Sequence, residues 1–176
     1  MSDLKLIQSK GKIRIDLSPG HLHWCLAGLH GSDSLDTVVA LQLAKNQKIA
    51  LVSKQDYPYD TAKCDTAEGY LGIRSYSALY TGGDARAALQ SGPVLATMHL
   101  YADFENYTGG VYRPPQGLPR LGNHTVELVG YDDGAEAWII KNSAGPDWGE
   151  NGFARIAYET CGIFTQNGFY AFNVTI

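Results

Sequence analysis

The sequence of 176 residues predicts an α+β fold, on three observations. Helical spacing of apolar residues falls in the first half, strand-like runs fill the second, and a strong hairpin pattern lies between residues 124 and 142. Helices followed by strands, rather than strict alternation of the two, indicate segregated layers. The composition, 44% hydrophobic and 18% charged, excludes a disordered tail, a collagen-like fibre and a coiled coil. A net charge of −4 without a basic stripe argues against a generic nucleic-acid binder. No apolar run approaches the roughly 20 residues that a membrane-spanning helix needs. The opening Met-Ser-Asp-Leu-Lys is polar, so no signal peptide is expected in this chain.

Residues 1–16 are basic and mildly apolar, with no resolved period. From Leu35 to Asn46, the apolar positions Leu35, Val38, Val39 and Leu43 form one helical face, with Ser32 or Asp33 as N-cap. A short helix is expected over Asp84–Gln90, capped by Asp84 and stopped by Gly92-Pro93. Val94–Met98 reads as a buried strand. His124–Tyr131 and Glu136–Asn142 flank the turn signal Asp132-Asp133-Gly134-Ala135. Gly152–Tyr158 and Phe169–Val174 supply two more strands. Without a repeat or linker, residues 1–176 form a single domain, with 1–90 mainly helix and loop and 91–176 mainly antiparallel β.

The hairpin also carries chemistry. A turn centred between Asp133 and Gly134 brings His124 within one position of facing Asn142. An amide there can accept from one imidazole nitrogen and leave the other free as a base. From spacing alone, an ordinary His–Asn surface pair is the commoner outcome. Three cysteines are an odd count, so at least one thiol is free or pairs outside the chain. Three Asn-X-Thr sequons, at Asn106, Asn123 and Asn173, hint at secretion and decide nothing by themselves. His21-X-His23-X-Cys25, with His30 nearby, allows a metal site, although a loop-edge histidine cluster is the plainer reading and no metal ligand is assigned. Arg113-Pro114-Pro115-Gln116-Gly117-Leu118-Pro119-Arg120 is an extended insert, a partner loop or a solvated connection.

Gly122 to Tyr131 (GNHTVELVGY), Trp138 to Ser143 (WIIKNS) and Gly145 to Phe153 (GPDWGENGF) resemble, in order, the histidine segment, the asparagine segment and the Trp-Gly-Glu-Asn-Gly turn of the papain-like cysteine peptidases. Gly92-Pro93-Val94, Tyr101-Ala102-Asp103-Phe104 and Gly109-Gly110-Val111-Tyr112 are similar to the stretch before the histidine, most of all in cathepsin B-type members. Leu17-Ser18-Pro19-Gly20-His21-Leu22 and Tyr57-Pro58-Tyr59 match further family segments. The resemblance implies a papain-like fold, with His124 as general base, Asn142 as its orienter, and Ser143, Ala144 and Trp148 lining the site. It also implies a disulfide between Cys25 and Cys64 and an unpaired Cys161. Two small buried thiols are the alternative for Cys25 and Cys64 in a reducing compartment.

The departures shape the functional expectation. The family's nucleophilic cysteine and oxyanion glutamine lie upstream of the Leu-Ser motif, and the chain is expected to begin too late to contain them. Cys25 as a substitute nucleophile fits the motif order poorly. Ala144 stands where the family has a tryptophan that covers the His–Asn bond. Two readings follow. One is a catalytically inactive binding or structural subunit, which the sequence favours. The other is the His/Asn-bearing chain of a two-chain endopeptidase whose thiol another polypeptide supplies. Both call for a protein partner or an oligomer over the face left by the missing helix. Neither calls for a cofactor, a nucleic acid or a membrane span. The family and the Cys25–Cys64 pairing point to an extracellular, lysosomal or other vacuolar compartment.

Overall fold

In the computed structural model, residues 1–30, 33–51, 64 and 68–165 are described in full, and residues 168–175 by their backbone. The chain divides into two compact units, residues 1–76 with 171–176, and residues 77–170. Tyr57-Pro58-Tyr59 and Ser32 lie outside the described residues.

In the first unit, α1 (Ser2–Gln8) buries Leu4, and α2 (Thr37–Asn46) buries Leu41 and Ala44. The N-cap of α2 is Asp36, not Ser32 or Asp33. Asp36 is extended, at φ −61° and ψ 137°, and its carboxylate accepts from the N–H groups of Val38 and Val39 at 2.8 and 3.1 Å. That satisfies two of the helix's orphan donors and leaves Leu35 outside the helix. Asp33 instead accepts from the His30 N–H at 3.2 Å. A π-helical turn spans His21–Leu26. Its His21 is buried, with Nδ1 accepting from the Ala50 N–H at 3.1 Å, while Ser18 Oγ accepts from the His21 N–H at 3.0 Å. Cys25 and Cys64 are joined by a disulfide with Cα atoms 5.2 Å apart.

The second unit is built on a sheet. β1 (Gly72–Leu79) leads into it and α3 (Gly82–Leu89) follows. The cap of α3 is Thr81 rather than Asp84. Thr81 Oγ1 accepts from the Asp84 N–H at 3.1 Å and Asp84 Oδ2 accepts from the Thr81 N–H at 3.0 Å, a reciprocal capping box. Hydrogen bonds to the Asp84 carboxyl, first from the Thr81 side chain and then from the Tyr80 N–H, hold it below its ordinary value. The strands are β2 (Val94–Tyr101), β3 (Val111–Tyr112), β4 (Arg120–Asp132), β5 (Ala137–Lys141), β6 (Phe153–Ala157) and β7 (Gly168–Thr175). Their order is β7-β2-β4-β5-β6-β3, antiparallel throughout except for the β3–β6 pair.

Alternation along β2 and β4 buries Val94, Ala96, Met98, Val126 and Leu128, which meet Ile140, Ile156 and Phe104 in one core. The hairpin register differs from the predicted one. Asp132 faces Ala137, so the turn is centred one residue later, between Gly134 and Ala135. The Asp-Gly signal does not make a two-residue turn here. Asp132 Oδ1 accepts from the Ala135 N–H at 3.0 Å and Glu136 takes a left-handed conformation (φ 51°), which widens the loop. A bulge between Leu128 and Gly130 then takes up one residue, and Glu127 faces Lys141.

Candidate active site

His124 lies on β4 two residues before Val126, on the face that Val126 and Leu128 turn to the core. Its partner on β2 is Met98, which is fully buried, so one side of the imidazole is walled by a strand. Asn142 follows the last residue of β5, and its backbone N–H donates to Gly152 O at 2.9 Å. The observed register would set His124 opposite residue 144, two positions past Asn142. The pair therefore meets on the diagonal of the ladder rather than face to face. His124 Nε2 and Asn142 Oδ1 are 2.8 Å apart.

The same Oδ1 accepts the backbone N–H of Ser143 at 2.8 Å. A main-chain N–H can only donate, so it fixes the amide with its oxygen toward Nε2. Nε2 must then carry the proton, and Nδ1 keeps its lone pair. That is the tautomer of a poised base.

The pair opens into a cavity of about 330 Å³, with Leu100, Phe104 and Trp148 as its apolar wall. Ser143 and Ala144 are exposed on its rim, and Glu105 completes the lining. Trp148 Nε1–H donates to Glu105 O at 3.0 Å, and its ring packs edge-on against Phe104 at 5.1 Å between centroids. The turn that carries Trp148 is held from below. Glu150 accepts from Arg155 at 2.6 Å and from the Gly110 N–H at 3.1 Å, so its carboxyl sits below its ordinary value, chiefly through Arg155. Gly149 is left-handed (φ 59°), and a Cβ there would stand 2.6 Å from Phe153 O.

Four of the predicted site residues (His124, Asn142, Ser143 and Ala144) and Trp148 thus border one cavity. Leu100, Phe104 and Glu105 were not singled out as site-lining, because the β2–β4 pairing that delivers Leu100 leaves no local mark in the sequence. Cys25 and Cys64 lie in the other unit and are consumed by their disulfide. Cys161 is free and 4% exposed, and burial pushes its thiol up to about 11. Among the described residues, no group of three or more His, Cys, Asp or Glu side chains could hold a metal ion. Two residues of the His21, His23, Cys25 and His30 cluster are already engaged. The Cys25 sulfur is in a disulfide, and His21 Nδ1 is occupied by Ala50.

A histidine on the sheet bonded to an asparagine amide, beside a Trp-Gly-Glu-Asn-Gly turn, is the arrangement that the papain-like resemblance implies. Residues 1–171 match the papain family cysteine proteases, and the chain belongs to that family. Its relatives include two proteins of Giardia intestinalis. Cathepsin B-like CP1 is 53% identical over 37% of this chain and 22% of its own length, and Cathepsin B-like CP3 is 46% identical over 48% and 30%. These matches thus span less than a third of either relative. Among solved structures, proCathepsin B S9 from Trypanosoma congolense aligns with a TM-score of 0.81 at 26% identity, covering 97% of this chain and 64% of that one. The bromelain protease from Ananas comosus, in complex with the E64 inhibitor, aligns with a TM-score of 0.74 at 24% identity, over 97% and 84%, a likeness of fold. The fold is papain-like.

Proposed function

We propose that these 176 residues form the base-bearing half of a cysteine endopeptidase site. His124 is the general base, Asn142 fixes its tautomer, and a thiol outside this sequence attacks the peptide carbonyl. That thiol belongs either to a segment continuous with the chain or to a separate polypeptide. The observation that carries the reading is the bond of 2.8 Å from Nε2 to an amide oxygen already pinned by Ser143. It leaves Nδ1 as the proton acceptor a thiol needs. Proton transfer from thiol to Nδ1 yields a thiolate–imidazolium pair. Attack forms an acyl-thioester, and the imidazolium returns its proton to the departing amine.

The second reading, a subunit that binds without cleaving, is favoured by one residue. Ala144 is exposed beside Asn142 and gives the His–Asn bond no aromatic cover. A wetter bond is a weaker one.

A peptidyl epoxide that alkylates only activated thiols separates the two on protein purified natively with everything bound to it. Labelling of a thiol in a connected or associated polypeptide, lost in His124→Ala, supports the peptidase. Absence of labelling, with peptide still bound, supports the non-catalytic subunit and ends the first reading.

A further inference from the structure

The three Asn-X-Thr sequences occupy very different places. Asn123 stands within β4 opposite His99, and its Oδ1 accepts from the Arg120 guanidinium. The side chain of Asn173 lies outside the described residues. Asn106 closes the short 3₁₀ turn Phe104–Asn106, and both Asn106 and Thr108 are exposed. Among the described residues, neither side chain is drawn into a hydrogen bond.

Tyr107, between them, points inward. It is 7% exposed, its hydroxyl donates to Gly110 O at 2.6 Å, and its ring packs on Phe104 and Trp148. With the middle residue anchored in the core, the acceptor amide and the hydroxyl two residues on are both held outward. An Asn-X-Thr sequence in a surface turn is the structural context this modification requires. The Cys25–Cys64 disulfide supplies a second, independent observation, since such bonds persist in the oxidising compartments through which N-glycosylated proteins pass.

We infer that Asn106 is an N-glycosylation site, and that its sugar is rooted one residue from the cavity that holds His124 and Asn142. The donor is an oligosaccharide esterified to a lipid diphosphate. Asn106 Nδ2 forms a bond to the anomeric carbon as the bond from that carbon to the diphosphate oxygen breaks. The lipid diphosphate leaves with the electron pair, the amide gives up one proton, and nothing is oxidised or reduced. Glu105, the adjacent residue, lines the cavity and accepts the Trp148 indole N–H through its carbonyl. The glycan therefore stands on the rim of the site, and the assignment holds whether or not the site is catalytic.

Glycopeptide mapping of the protein purified from its natural source is the test. Fragmentation that keeps sugars attached is expected to place a glycan on the peptide containing Asn106, at that residue. An Asn106 peptide recovered only in its bare form overturns the inference. In the same host, Asn106→Gln and Thr108→Ala should each remove one glycan's mass, and Asn123→Gln should remove none. Full glycan mass retained by Asn106→Gln overturns it as well.

Discussion

The backbone N–H of Ser143 decides what His124 can do, because it fixes which atom of the Asn142 amide the imidazole meets. With Oδ1 held there, the neutral ring carries its proton on Nε2, a state that nitrogen-resolved NMR reads directly. Asn142→Ala should release the ring into a mixture of tautomers. In a complex that cleaves peptides, His124→Ala removes the base and should cost about 10²–10⁴-fold in kcat/KM. Asn142→Ala, which loses one hydrogen bond, should cost about tenfold. Cys161 makes a second test. A buried thiol raised to about 11 is only about one part in a thousand thiolate at pH 8, so a disulfide reagent should leave Cys161 untouched in the native protein. Denaturant should then make Cys161 reactive. Rapid labelling of the native chain at Cys161 would contradict the buried placement. Glu150 gives the pH dependence. Its carboxyl is held below the ordinary value by Arg155, so the stabilisation is complete above that ordinary value and is lost as pH falls through the depressed one. Both side chains are about a third exposed, so the effect is worth at most about 1 kcal/mol. Urea midpoints between pH 3 and 7 should fall in acid for the parent chain and fall less for Glu150→Gln.

At the scale of elements, Arg86 ties α3 to the β4–β5 hairpin beside the buried Ala85. The Arg86 guanidinium lies 5.2, 5.0 and 4.9 Å from the ring centres of Tyr131, Trp138 and Tyr158, and Nη2 donates to Asp133 at 2.9 Å. Arg86→Ala should lower the urea midpoint of the second unit. Arg86→Lys should recover less than half of that, because an ammonium cannot lie flat among three rings. None of this contact was visible in the sequence, where Arg86 is one charge in a short helix. What could be read there was whatever depends on neighbours along the chain. α2, α3 and the strands β2, β4, β5, β6 and β7 were present within a few residues of their true bounds, while β1 and the two-residue β3 were not foreseen. The capping box at Thr81 and Asp84 shows the limit. Asp84 reads as the cap in the sequence, whereas the cap is Thr81, because that role depends on backbone conformation that composition does not specify. The hairpin shows it again. Asp-Gly announced a turn, yet Glu136 entering the left-handed region moved the centre by one residue and the bulge between Leu128 and Gly130 moved it back part of the way. His124 and Asn142 still met because diagonal neighbours on one face of a ladder are within reach of two long side chains. Met98 and Phe104 reach the site through pairing and packing across distant segments, and no local pattern announces them.

On the scale of the whole chain, the two units differ in how they are held. The first, residues 1–76 with 171–176, carries the Cys25–Cys64 disulfide, and the second, residues 77–170, carries none. The bridge closes a loop with a sequence separation of 39, and chain-entropy reasoning assigns such a loop about 4 kcal/mol of stabilisation. For a unit of fewer than a hundred residues that is a large share of the total. The tryptophans report on the units separately, since Trp24 lies in the first and Trp138 and Trp148 in the second. In the parent protein, reduction should shift an early part of the fluorescence transition to lower urea and leave a later part in place. Trp24→Phe silences the reporter in the first unit, so its fluorescence transition should be nearly insensitive to reductant. The Nε2–H signal of His124 should likewise survive reduction, because every group that fixes it belongs to the second unit. A single transition displaced as a whole by reductant in both proteins would show that the units unfold together, and the disulfide would then stabilise the His–Asn pair as well.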